Sequence, residues 1–259
     1  MTKSFLKALI LLCTASQATG QSETKQSGDA VTNSNVSTVA QDGGREQRTK
    51  ENKNQPLRGD TIQKKKLTLI FVDKDSSLTA EYKQRMVDAH FKQYPKLIKK
   101  YNKNSPKQVT FLIDKDYKGV AATGGGVIRY NPGWFDKNPE DIDVVTHELM
   151  HVVQGYGYNK VPVWVTEGIA DYVRATEGIN NEKANWKMPD LKPEHKYSSS
   201  YRITARFFVW ITKNYRKDFV RKLDDAARQK AYSVETWKEL TGKTVEELWQ
   251  EYVANPSID

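Results

Sequence analysis

The sequence has almost no cysteine: among its 259 residues, Cys13 is the only one. A chain with one thiol cannot form an internal disulfide, so its fold has to be stabilised by a hydrophobic core. We therefore expect a folded domain well above the size of a mini-protein. Hydrophobic residues make up 37% of the chain, which is enough for such a core if the polar residues are concentrated elsewhere.

Long hydrophobic runs are lacking as well. The apolar stretch Ala8–Ala15 is far too short to cross a bilayer as a helix, and no other candidate span follows it, so we expect no transmembrane segment. The stretch follows Lys3 and Lys7 and precedes Ala18-Thr19-Gly20, a small-x-small pattern. This order is typical of a secretory signal peptide, which we place at residues 1–20.

The signal peptide predicts a secreted or periplasmic protein. Cys13 offers an alternative, because a lipid attached to it would anchor the chain to a membrane. The bulky Leu12 before it disfavours this alternative, since lipoprotein signals usually have a small residue there.

Large apolar side chains are nearly absent from residues 21–65, which are rich in Gln, Ser, Thr, Asn, Gly and charged residues. Such a segment cannot bury enough surface to offset its ordering entropy, so we predict a disordered polar linker. The folded domain is expected at residues 66–259, as a monomer. The formal net charge is +9, but the basic residues are scattered among acidic ones, which favours a solvated surface over a specific nucleic-acid partner.

Three β-rich runs and a series of helical patterns predict an α+β fold. The predicted strands are Leu67–Val72, Val109–Ile113 and Val127–Tyr130, and a helix over Thr79–Tyr101 follows the first of them. From Asn138 onward the chain has helical patterns. We expect a small N-terminal sheet with a helix, followed by a mostly helical half that carries the motifs described next. We interpret the last strand as an edge strand that pairs with an extended peptide.

The residues that can carry chemistry are concentrated in His147-Glu148-Leu149-Met150-His151. Two histidines four residues apart lie on one face of a helix, where both imidazoles can reach one zinc ion at about 2 Å. Glu148 is rotated by about 100° from His147 around the helix, so it can face the open position of the metal without binding it. A general base belongs in that position, beside a metal-activated water.

A catalytic zinc site usually has three protein ligands and one water, so a third ligand is needed. Glu167 lies on the next predicted helix, Val163–Thr176, which a reversal through Gly155–Tyr158 can bring alongside the first. Asp171 lies four residues after Glu167 and shares its face. We predict that this carboxylate lies outside the ligand set and accepts the second N–H of His147.

The alternative to a metal site is a pair of solvated side chains on a polar helix face. Apolar residues at helical spacing argue against it because they predict a buried helix: Val145, Leu149, Val152 and Val153. Two histidines and a glutamate on a buried helix need partners, and a metal supplies them. We therefore expect Zn²⁺ bound to His147, His151 and Glu167.

Four stretches of the sequence carry a family resemblance: HELMHVVQGYG (147–157), WVTEGIADYVR (164–174), YRITARFFVWI (201–211) and TGKTVEELWQEY (241–252). They resemble the plant basic secretory proteins and their bacterial relatives, a family of zinc metallopeptidases. The resemblance extends from about Leu67 to Tyr252. It implies a zinc metallopeptidase that acts on protein or peptide substrates.

Together these observations predict an exported zinc-dependent metallopeptidase that hydrolyses peptide bonds. In the expected mechanism, Glu148 is the general base that takes a proton from the metal-activated water and passes it to the leaving amine. The oxyanion needs another donor besides the metal. Tyr201 is our candidate, because it begins the helix after the ligand helix, and His195 in the polar loop Asn180–Ser200 is a second one.

The sequence is also compatible with other functions. One is a catalytically weak zinc-containing protein or glycan binding module of the same fold, although the presence of Glu148 argues against a dead site. Another is a basic adhesion or defence protein that binds polyanions, whose affinity would fall steeply with salt. A zinc hydrolase of another substrate class is a further alternative.

Overall fold

The computed structural model describes residues 59–157 and 161–258, which form a mixed β-sheet followed by a mostly helical half. The predicted α+β fold class is confirmed. The predicted signal peptide at residues 1–20 and the predicted linker as far as residue 58 lie outside the described residues, as does Cys13. Within the described ranges, no helix combines the length and the hydropathy that crossing a membrane requires.

The sheet has five strands in the order β1-β2-β3-β5-β4. Their bounds are β1 Asp60–Lys64, β2 Leu67–Val72, β3 Gln108–Ile113, β4 Ala121–Gly124 and β5 Val127–Tyr130. The three central strands run parallel, and β1 and β4 pair antiparallel at the two edges. Parallel neighbours need a crossover connection, and helix α1, Ala80–Lys100, provides it between β2 and β3.

Strand β1 lies inside the segment that we predicted to be a linker, so the folded domain begins at or before Asp60 rather than at residue 66. Of this strand's five residues, only Ile62 is apolar and packs against the core. The strand is held by backbone pairing with β2 over its whole length. An edge strand of polar residues has no hydrophobic periodicity by which the sequence could reveal it.

The interpretation of Val127–Tyr130 as an edge strand is wrong. This strand, β5, is paired on both sides, with β3 and with β4. The outer strand on this side of the described sheet is β4, whose residues Ala-Ala-Thr-Gly give little strand signal. The edge strand β4 contacts the helix that carries both histidines, so the open edge lies next to the candidate site.

The helices after the sheet are α2 Pro132–Lys137, α3 Val144–Gln154, α4 Val163–Glu177, α5 Tyr201–Asn214, α6 Phe219–Arg228, α7 Glu235–Thr241 and α8 Val245–Ala254, with a 3-10 turn at Tyr197–Ser199. Helix α3 begins at Val144, later than Asn138, where the helical patterns of the sequence begin. In the intervening segment, Asp143 accepts hydrogen bonds from the backbone N–H groups of Ile179 and Asn180. These bonds tie the loop after α4 to the start of α3.

The core of the helical half surrounds α5. Phe207 and Phe208 of this helix are fully buried, and their rings lie 5.4 Å from Tyr252 of α8 and 6.0 Å from Trp237 of α7, respectively. These aromatic contacts fix α5 against the C-terminal helices, while its N-terminal residue Tyr201 lies beside the candidate site.

Candidate metal centre

Helix α3 presents both histidines from the interior of the protein. Almost all of its residues are buried, including His147 and Glu148. The helix ends at Gly155, which adopts φ +52°, a left-handed conformation that glycine tolerates best. Helix α4 then packs against α3, as the sequence predicts, and carries Glu167 and Asp171 toward the histidines.

Three ligand atoms converge between the two helices. Nε2 of His147 lies 3.0 Å from Nε2 of His151, and the Glu167 carboxylate oxygen lies 3.2 Å from the first nitrogen and 3.4 Å from the second. A tetrahedral zinc with bonds of about 2.0–2.1 Å holds its ligand atoms about 3.3–3.4 Å apart. The triangle therefore has the size that one such ion requires, and these three residues could hold a metal ion.

The remaining nitrogen of each imidazole has a partner that can only accept a hydrogen bond there. Nδ1 of His147 lies 2.7 Å from the Asp171 carboxylate. Nδ1 of His151 lies 2.7 Å from the side-chain oxygen of Gln154, whose amide nitrogen donates to the carbonyl of Thr166 and so fixes the amide orientation. Both Nδ1 atoms therefore donate, which fixes the tautomers.

This assignment leaves three lone pairs facing one another: two Nε2 atoms and the Glu167 carboxylate. Three acceptors at these distances repel one another, so the arrangement calls for positive charge at its centre, from a metal ion or, without one, from a proton on an imidazole. The chemistry of the donor set, two imidazoles and one carboxylate, fits Zn²⁺. The three residues therefore suit the metal that the sequence predicts.

The pKa values of His147 and Glu167 also indicate that the site favours positive charge. Burial lowers the pKa of His147, but hydrogen bonds with Asp171 and Glu167 outweigh it and raise the pKa to about 10. Burial raises the pKa of Glu167, whereas its hydrogen bonds with His147 and His151 bring it well below the usual range. The surroundings therefore favour positive charge between these side chains.

Glu148 is not one of the three residues whose candidate ligand atoms converge. Its side chain is buried and accepts a 2.6 Å hydrogen bond from the hydroxyl of Thr123 on β4. Both residues line the same cleft as the three candidate ligands. The carboxylate is thus held between the candidate metal site and the edge strand.

Tyr201 lies over the site from the first turn of α5. Its ring centroid is 6.3 Å from that of His147, the two rings are nearly parallel, and the side chain is 54% exposed. Partial burial, followed by the negative charges of Glu167 and Asp171, raises the pKa of the phenol. The hydroxyl therefore keeps its proton at neutral pH and can donate it to an oxyanion.

His195, the second candidate for that donor, is not among the residues that line the cleft. Its Nδ1 accepts a hydrogen bond from the backbone N–H of Lys192 within its own loop. The structure therefore brings Tyr201, and not His195, to the candidate metal centre.

Gly168 allows helix α5, which carries Tyr201, to pack closely against helix α4, which carries Glu167. A Cβ atom at this position of α4 would overlap the Thr204 methyl group of α5 and lie 3.1 Å from the Phe208 ring. Only glycine allows the two helices to approach this closely without a shift of one of them. The residue next to Glu167 thus sets the distance between the ligand helix and the helix of Tyr201.

The site opens into a cleft of about 1740 Å³. The β4–β5 hairpin with Gly124–Gly126 and residues of α3 and α4 line this cleft. Trp186 and Arg202, in and after the loop that follows α4, line it as well. This volume exceeds the roughly 300–1,000 Å³ that is typical of pockets for small ligands, which leaves room for a segment of peptide chain.

Two residues of the site were missed by reasoning from the sequence. Gln154 follows His151 by three residues, so the shared helix face was a signal that could have found it. Thr123 carries no local signal, because only the packing of β4 against α3 brings its hydroxyl to Glu148.

Comparison with known proteins identifies a family. The family model described as peptidase of plants and bacteria matches residues 57–252, which include all strands and helices up to Tyr252. A search among curated proteins finds none that matches the chain. The family description agrees with the resemblance predicted from the four sequence stretches and indicates peptidase activity in general terms.

Proposed function

The chain belongs to the family of peptidases of plants and bacteria, and we propose that it is a zinc-dependent metallopeptidase with His147, His151 and Glu167 as the metal ligands. One observation carries the proposal: the ligand atoms of these three residues form a triangle with sides of 3.0–3.4 Å, the size that one zinc ion requires. Two imidazoles and a carboxylate form a ligand set of catalytic zinc, which leaves a fourth position open.

When bound there, zinc supplies Lewis acidity, which lowers the pKa of water and polarises a carbonyl. The Glu148 carboxylate takes the proton of the attacking water and passes it to the leaving amine. Thr123 holds one oxygen of this carboxylate, which leaves the other free to act. Asp171 and Gln154 keep the imidazoles in the tautomers that present Nε2 to the metal.

Tyr201 is the proposed donor to the oxygen of the scissile carbonyl. Its raised pKa keeps the phenol protonated, and its partly exposed ring lies 6.3 Å from that of His147. A donor that is already oriented stabilises the developing negative charge at little reorganisation cost.

The peptide itself is proposed to bind in extended form along β4. The outer side of this strand has no partner strand in the described sheet, so its backbone groups can pair with a substrate. The glycines at the hairpin tip leave open space where a Cβ would stand. We further propose that the protein acts outside the cytoplasm after removal of residues 1–20.

The test is zinc analysis of the purified protein and of two histidine variants. The wild type should hold about one zinc per chain, and His151→Ala should lose it together with peptide hydrolysis. His195→Ala is the matched control, because its imidazole lies outside the cleft, and it should keep both. Stoichiometric zinc in His151→Ala would rule out this ligand set.

A further inference from the structure

Arg202 differs from the other charged residues that line the cleft. Asp141 and Arg174 are paired with each other, and the remaining ionisable side chains belong to the metal centre and its surroundings. Within residues 59–157 and 161–258, the Arg202 guanidinium has no carboxylate within 4.0 Å, and its one hydrogen bond, to the carbonyl of Lys187, is a long 3.4 Å. The cleft therefore contains a cation that no carboxylate of the described residues pairs with.

Nearby arginines of the same helical half are paired. The nitrogen–oxygen distances are 3.4 Å for Arg206–Asp190, 2.7 Å for Arg221–Asp218 and 2.7 Å for Arg228–Asp224. The absence of a carboxylate at Arg202 is therefore not general for the arginines of α5 and α6. A guanidinium that lines a binding cleft without a carboxylate partner is suited to bind an anion from outside.

Trp186 keeps the Arg202 side chain in place. The Arg202 guanidinium carbon lies 5.9 Å from the centre of the Trp186 ring, and that of Arg174 lies 4.4 Å from it. Arg174 is fixed in turn by Asp141 and Asn181. Stacking on an anchored indole limits the rotamers of Arg202, so less conformational entropy is lost when it binds a ligand.

The position of Arg202 in the chain locates the site relative to the reaction. It directly follows Tyr201, whose ring lies over His147, and consecutive Cα atoms are about 3.8 Å apart. An extended peptide advances by about 3.3 Å per residue. A group bound by Arg202 therefore belongs to a substrate residue within a few positions of the scissile bond.

We propose that Arg202, stacked on Trp186, forms a subsite that binds a carboxylate of the peptide substrate. This proposal rests on the proposed peptidase function. A planar guanidinium matches a carboxylate with two parallel N–H···O bonds, which an uncharged amide cannot reproduce. The carboxylate has two possible sources, the side chain of Asp or Glu and the free C-terminus of a short peptide.

The test uses matched peptides that separate these sources. Pairs with Glu or Gln at each of the three positions on either side of the cleaved bond probe the side chain, and each peptide as a free acid or an amide probes the C-terminus. In the wild type, kcat/KM should be at least tenfold higher for the peptide with the additional carboxylate, either in a Glu/Gln pair or in an acid/amide pair. In Arg202→Gln this ratio should fall to about one, and Arg202→Lys should restore it only in part.

Arg216→Gln is the control, because Arg216 pairs with Asp218 and does not line the cleft, and it should keep the wild-type ratio. The same comparison of peptides can be made without turnover in Glu148→Gln. Calorimetry measures the affinity of this variant for each peptide, with and without the additional change Arg202→Gln. If no peptide is cleaved, the proposed function fails, but the affinity ratio still decides the subsite. Equal kcat/KM values and equal affinities within every pair, or a ratio that persists in Arg202→Gln, would overturn the proposed subsite.

Discussion

The side-chain oxygen of Gln154 lies 2.7 Å from Nδ1 of His151 and occupies for that imidazole the place that Asp171 occupies for His147. One imidazole is thus oriented by a carboxylate and the other by a neutral amide. The amide is itself fixed by its bond to the Thr166 carbonyl, which links α3 to α4.

Replacement of Gln154 by leucine should weaken metal binding. Leu cannot accept the Nδ1 proton of His151, so the ring loses its fixed tautomer and orientation, and zinc affinity should fall by roughly 10–100-fold. Competition with a fluorescent chelator measures this affinity. Gln84→Leu, on the exposed face of α1, is the control and should bind zinc like the wild type. Unchanged affinity in Gln154→Leu would mean that the amide does not support the ligand.

Thr123 should affect turnover and not metal content. Thr123→Val keeps the shape of the side chain but removes the hydroxyl that donates to Glu148. A hydrogen bond to a charged group contributes about 1.5–3 kcal/mol, so loss of the fixed carboxylate should lower kcat by roughly tenfold or more while zinc stays bound. Thr123→Ser should recover most of the activity. Equal rates for Val and Ser variants would show that the hydroxyl has no role.

The candidate site was largely predictable because its parts are local. His147, His151, Glu167 and Asp171 lie at helical spacings within two adjacent helices, so periodicity alone places each pair on one face. Gln154 obeys the same rule. The roles of Thr123 and of Arg202 with Trp186 depend on how separate segments pack, and no spacing in the sequence contains that information.

The fold, like the site, was predictable where the signal is local and not where it depends on long-range packing. Strands with strong hydrophobic patterns, such as Leu67–Val72, were predicted, whereas β1 and β4 were not, because backbone pairing and not side-chain burial defines them. The order of strands could not be predicted either, so Val127–Tyr130 was placed at an edge that β4 in fact occupies. Sheet order depends on long-range pairing that short windows of sequence do not encode.

Gly168→Ala should destabilise the protein. The added methyl group would overlap Thr204, so α4 and α5 would have to separate, at a cost of about 1–3 kcal/mol for overpacking. The free energy of unfolding in urea measures the effect. Gly124→Ala is the control, since a Cβ there meets no atom within 4 Å. A Gly168→Ala protein as stable as the wild type would show that the helices can part without cost.

His90 should make the fold sensitive to acid. Its ring is fully buried among aromatic side chains, neither ring nitrogen has a hydrogen-bond partner in the described structure, and burial lowers its pKa from 6.5 to about 3. Between pH 3 and 6.5 the unfolded chain therefore binds more protons than the folded one. The contribution to stability is fully present above pH 6.5 and is lost as the pH falls toward 3.

His90→Leu should remove this part of the pH dependence. Between pH 7 and pH 5 the wild type should lose about 2 kcal/mol more of its free energy of unfolding than the variant does. Both proteins are compared without zinc, so that release of metal at low pH does not enter. Parallel pH profiles would show that His90 is protonated in the folded protein.

The most direct test of the proposed mechanism is Glu148→Gln, measured for zinc content and peptide hydrolysis in the same preparation. The amide keeps the size of the side chain but cannot take a proton at neutral pH, and the three ligands are untouched. We expect about one zinc per chain and a loss of hydrolysis of at least roughly 10²–10⁴-fold, while Glu182→Gln in the exposed loop keeps both. Full zinc with near-normal turnover in Glu148→Gln would contradict the assignment of Glu148 as the base.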